Sequence, residues 1–188
     1  MTATAAGLIA GAGLMAVVDW GALAGDRRGV GLVTKPAVIL LLLAAAVAVT
    51  PANAQQRTFF VAALALSAAG DVALLAPPRW FVIGLGAFLL AHLAYIGGLL
   101  QLAGSGESVA AGVVFVGLAG IFMGIPIVLG SARKRGPPLG VAVVAYLATI
   151  SAVVVVAGQS DLILARVGAV LLYASDGVLG WNRFVTPI

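Results

Sequence analysis

Two aspartates and the chain's only histidine stand where an apolar sequence has least use for them. Asp71 follows Gly70 near the end of one apolar run, in SAAGD, and His92 lies halfway along the next. Asp176 stands in YASDG close to the C-terminus. An ionisable side chain at membrane depth is costly unless it faces a protein interior or a wet cavity, so each marks a candidate site. The residue types suit proton transfer. A carboxyl group in low dielectric is suited to carrying a proton, and histidine is the side chain most easily tuned to exchange one near neutral pH. Asp71, His92 and Asp176 are therefore the catalytic candidates, and general acid-base chemistry is the expectation.

Their neighbours are spaced to share helix faces. Ser67 lies four residues before Asp71, Phe88 four before His92, Tyr95 three after it, and Tyr173 three before Asp176, beside Ser175. Asp19 and Lys35 stand at the ends of the first two apolar runs. Ser67, Tyr95, Tyr173, Ser175, Asp19 and Lys35 are accordingly the substrate-binding candidates. Each has a structural alternative: Asp71 paired with Arg79, Asp176 with Arg183, His92 as a hydrogen-bonded packing element, and Lys35 as a helix end beside Pro36. A metal held by Asp71, His92 and Asp176 as a facial triad is geometrically conceivable. The reading nonetheless expects no metal and no cofactor.

The elements that carry these residues follow from composition. Of 188 residues, 63% are hydrophobic and 9% charged, against about 25% charged in soluble domains, so the fold class is an all-α polytopic transmembrane bundle. The absence of cysteine excludes disulfides and thiolate chemistry, and a single histidine excludes multi-histidine zinc motifs. No GxSxG, HExxH or P-loop pattern occurs. A helix needs about 20 residues to cross the hydrocarbon. Seven runs qualify, at 2–18, 34–49, 57–75, 80–102, 109–129, 139–157 and 161–179, punctuated by Pro51, Pro77 with Pro78, Gly104 to Gly106, and Pro137 with Pro138. The first run lacks a basic leader, so it is read as a span rather than a signal peptide. Intervening polar stretches are too short to hold a core, and residues 1–188 are read as one transmembrane domain.

Charge sets the expected orientation. Arg27, Arg28, Lys35, Arg79, Arg133, Lys134, Arg135 and Arg183 fall on one side, Arg57 and Arg166 on the other, which puts the N-terminus outside a bacterial plasma membrane. The basic residues thus serve topology, and nucleic acid is not an expected partner. On this reading Asp19, Lys35, Asp71 and Asp176 share the cytoplasmic leaflet, with His92 about 16 Å deep in the fourth span. Trp20, Trp80 and Trp181 fall at interfaces. A small proton-coupled transporter or channel is the alternative to an enzyme, but no inverted repeat or broken-helix pair is visible.

The patterns SxxxD (Ser67, Asp71), FxxGLxxFxxAHxxY (Phe81, Gly84, Phe88, His92, Tyr95) and SDxxLxxxxF (Ser175, Asp176, Leu179, Phe184), with Lys35-Pro36 before them, resemble the YhhN-like family. That family includes the animal lysoplasmalogenases. The resemblance implies hydrolysis of the vinyl ether bond of a lysophospholipid, giving a fatty aldehyde and a glycerophospho-base. It also implies eight spans, one more than the seven read here.

Overall fold

The computed structural model describes residues 2–24, 28–102 and 104–186, with side chains throughout except at 20, 23, 24, 28, 29, 31, 32, 35 and 78. Among these residues there are seven long helices and no strand. They are α1 (Ala3–Ala24), α2 (Arg28–Ala48), α3 (Ala54–Leu75), α4 (Phe81–Leu99), α5 (Val109–Arg135), α6 (Pro137–Ala157) and α7 (Ile163–Phe184). Helices α3 to α7 are each long and apolar enough to cross a membrane, and α1 and α2 carry apolar stretches over Ala3–Asp19 and Pro36–Ala48. Large apolar side chains are exposed accordingly, Phe122 by 72% and Leu164 by 82%. Such surfaces suit hydrocarbon rather than water. The chain divides into two compact units, Met1–Gly98 and Leu99–Ile188.

In the N-terminal unit, the Thr2 hydroxyl accepts from the Ala5 amide at 3.2 Å and donates to the Ala48 carbonyl at 3.2 Å. One side chain thus caps α1 and ties it to the end of α2. Asn53 caps α3 by accepting from the Gln56 amide. The α3 face of Ala63, Ser67, Gly70 and Ala73 is buried. A Cβ at Gly70 would lie 2.7 Å from the Phe88 ring, and one at Gly84 would lie 3.3 Å from the Gly70 carbonyl oxygen. These two glycines let α3 and α4 approach closely, the usual device for packing helices in lipid.

Four helices differ from the sequence reading by five residues or more at one end: α5 runs on to Arg135 and α7 to Phe184. Helix α1 continues five residues past Asp19, and α2 begins at Arg28 rather than at 34, so Pro36 sits inside the helix. Proline removes one backbone donor there.

In the C-terminal unit, α5 is interrupted by a π turn over Gly120–Gly124, closed by the Ile125 amide on the Gly120 carbonyl. Pro126 follows at once. Its ring crowds the preceding turn and its missing N–H leaves a carbonyl over, and widening the turn accommodates both. Gly136, at φ 87°, turns the chain between α5 and α6, and Pro137 with Pro138 occupies the first turn of α6, where no amide partner is needed. α6 buries Leu139, Val143, Tyr146, Ile150, Val153 and Ala157 at steps of three and four.

Candidate active site

Tyr146 is the one polar residue on that α6 stripe, and it is 7% exposed. Its hydroxyl donates a hydrogen bond to Asp176 Oδ2 on α7. Asp176 lies 13 residues after Ile163, about 20 Å along the helix, so the pair sits well inside an apolar span. Sequence reasoning nominated Asp176 and missed Tyr146. The signal was available: Tyr146 is seven residues after Leu139 on a stripe otherwise aliphatic, and buried tyrosine hydroxyls normally have a partner.

Around the pair, α7 lies flush on the π turn. A Cβ at Gly177 would meet the end of Met123 at 1.9 Å, and one at Gly180 would lie 3.2 Å from Ile127. Tyr173, 3% exposed, packs edge-on to Phe115 with centroids 5.6 Å apart. Ser175 faces outward and is exposed. An open groove of about 490 Å³ runs between α5 and α6; its lining is aliphatic but for Ser151 and Tyr173, which reaches it from α7.

The N-terminal unit holds the other candidates on two packed helices. Ser67 is 8% exposed on α3 with Asp71 half-buried one turn later, and His92 is 1% exposed on α4. Tyr95 packs on Phe60 with centroids 6.2 Å apart. The Gly70–Phe88 and Phe60–Tyr95 contacts bracket His92, so its stretch of α4 is held against α3. Between α1 and α2, the buried Thr34 hydroxyl donates to Asp19 Oδ1 at 2.5 Å. Asp19 is thus anchored by a residue the sequence reading did not nominate. Lys35 lies in α2 next to it, but its side chain, like that of Trp20, is outside the described residues, as are Asp26 and Arg27.

A further polar cluster in the C-terminal unit lies at helix ends, in the loops before α5 and α7 and in the first turn of α7. Asp161 Oδ1 accepts from the Ser105 amide at 3.0 Å and the Ser105 hydroxyl at 2.8 Å. Arg166 donates to the Ser108 hydroxyl and, at 3.1 Å, to the Asp161 carbonyl. The Ser105 amide and then its hydroxyl hold the Asp161 carboxyl below its ordinary value of 3.8, with the Arg166 charge adding to them. Within each unit, among the described residues, no three His, Asp or Glu side chains gather to hold a metal ion.

The comparisons with known proteins agree with the sequence patterns. The YhhN family model matches residues 30–188. Lysoplasmalogenases of Mycobacterium bovis and of Mycobacterium tuberculosis are each 41% identical to the chain over 159 residues, covering 79% of it. The chain spans 58% of the length of those relatives. No solved structure matches it. With a family model covering most of its length, over helices that carry both aspartates and the histidine, this multi-pass membrane chain belongs to the YhhN family.

Proposed function

We propose that the chain is a lysoplasmalogenase-type hydrolase that opens the vinyl ether bond of a single-chain lysophospholipid. The observation that carries this reading is the Tyr146–Asp176 hydrogen bond inside an apolar span, in a chain 41% identical to two lysoplasmalogenases. A carboxylate in lipid with a buried phenol aimed at it is an arrangement with a cost, and chemistry is the reason to keep it.

The reaction needs a proton on the outer vinyl carbon, which leaves an oxocarbenium-like cation. Water then adds at the carbon bearing oxygen, and the hemiacetal collapses to aldehyde and the free glycerophospho alcohol. Water is the only co-reactant. Glycosidases manage a related cation with one protonated and one charged carboxyl group. On this proposal Asp71 donates the proton, Asp176 stabilises the cation or activates water, and His92 relays protons or orients the water. Ser67, Tyr95, Tyr173 and Ser175 contact the lipid, and Lys35 with Asp19 binds its polar end. The chain sits in a plasma membrane with its N-terminus outside, as the distribution of basic residues implies.

The test is aldehyde release from a 1-alkenyl lysophospholipid by purified protein in nanodiscs, for the wild type and for Asp71→Asn, His92→Ala and Asp176→Asn. Turnover by the wild type and its loss in folded variants is the expected result. Unchanged turnover in all three would remove the assignment, and absent turnover in the folded wild type would remove the function.

A further inference from the structure

The groove of the C-terminal unit has two openings in its wall that no side chain fills. Gly117 and Gly120 both line it, and a Cβ at either would meet nothing within 4 Å. These glycines are therefore not explained by helix packing, unlike Gly177 and Gly180, where α7 presses on α5. Glycine inside a helix is less favourable than alanine, and here its effect is to leave the groove wide.

The position of the groove matters as much as its width. Tyr173 belongs both to the groove and to the α7 turn that carries Asp176. Met123 meets Gly177 from the π turn, and Gly120 and Gly124 of that turn line the groove, so groove and carboxylate lie at one depth along the helices. The volume of about 490 Å³ lies within the range for small-molecule sites, roughly 300–1,000 Å³. Its lining offers only the Ser151 and Tyr173 hydroxyls as polar groups, which excludes a headgroup and suits a hydrocarbon chain.

We infer that this groove seats the hydrocarbon chain of the lipid substrate, and that Gly117 and Gly120 set the chain it accepts. The inference rests on the lipid-hydrolase reading for the identity of the occupant. The tail lies along α5 and α6 past the Tyr173 ring, while its vinyl ether end extends toward Asp176. A side chain at either glycine occupies the space the tail takes.

The experiment has two arms and a matched control. Gly117→Leu and Gly120→Leu fill the groove, whereas Gly168→Leu adds the same side chain to α7 at a site also open to 4 Å that does not line the groove. In the first arm, 1-alkenyl lysophospholipids of increasing chain length are assayed for aldehyde release. The groove variants lose kcat/KM for long chains by roughly tenfold or more and keep it for short ones, while Gly168→Leu follows the wild type. In the second arm, a lysophospholipid with a diazirine at mid-chain is photolysed with the protein in nanodiscs and the adducts are mapped. Adducts on residues 116–129 and 144–151 that are displaced by unlabelled lysophospholipid, and lost in Gly117→Leu, support the site. Equal chain-length profiles in all variants, or adducts that ordinary diacyl lipid displaces as well, overturn it. Displaceable groove labelling without aldehyde release would leave the tail site standing and remove the hydrolase reading.

Discussion

Two aspartates of the C-terminal unit, fifteen residues apart in sequence, are held in opposite ways. Asp176 lies half-buried inside α7 and accepts from the buried Tyr146 hydroxyl. Asp161 lies in an exposed turn and accepts from both the amide and the hydroxyl of Ser105, with Arg166 nearby. The exposed carboxyl group is the one whose partners matter less. Water replaces any hydrogen bond lost at Asp161, whereas around Asp176 the apolar span has little to offer in exchange. Surroundings thus decide what the loss of a bond does in this protein.

The comparison breaks first on activity. Asp176→Asn keeps the shape of the side chain and removes its capacity to exchange a proton, and aldehyde release is expected to fall by about 10²–10⁴-fold, measured on folded protein. A comparable fall in Asp161→Asn would erase the distinction. The next largest effect is steric and lies beside Asp161. A Cβ at Gly104 would come within 1.8 Å of the Gln159 carbonyl oxygen, and one at Gly158 within 2.8 Å of the Ser108 carbonyl oxygen. Backbone cannot step aside as a side-chain tip does, so Gly104→Ala is expected to cost about 1–3 kcal/mol in thermal unfolding in detergent. The exposed turn is then held by close backbone fit rather than by its charges.

Tyr146→Phe removes the hydroxyl and leaves the ring. A loss of about 0.6 kcal/mol is expected, the average for hydrogen bonds between helices in membranes, where the largest reach about 1.7, together with reduced turnover. Wild-type stability and turnover in this variant would show that the pair is incidental. The smallest effect is at Asp161. Because folding lowers its carboxyl below 3.8, its contribution is present above that pH and fades as the pH falls through the folded value. Melting curves of wild type and Asp161→Asn are expected to differ slightly near neutral pH and to converge below pH 3.8.

Much of this was readable from the chain, for definite reasons. Apolar runs bounded by proline and glycine located seven helices, because the hydrocarbon demands length and the breakers act locally. The rarity of charge within those runs singled out Asp71, His92 and Asp176. What escaped depended on partners. Thr34 and Tyr146 are ordinary residues in their own helices and become notable only once Asp19 and Asp176 are seen to accept from them. Pro36 looked like a boundary because proline usually is one, yet α2 starts eight residues earlier, at Arg28, and carries it inside. The π turn was announced by Pro126 after two glycines and a short apolar segment, a pattern legible in retrospect.

That wide turn also sets the phase of a screw. An extra residue taken up in one wide turn leaves the residues on its two sides about 100° out of the phase that an unbroken α-helix of the same sequence would give them. Tightening those residues into α geometry, with none removed, would turn the thread by that angle, carrying Phe115 off the edge of Tyr173 and Gly112 away from Val154. The first half of α5 would then show a different side to its neighbours, though none of its own residues had changed.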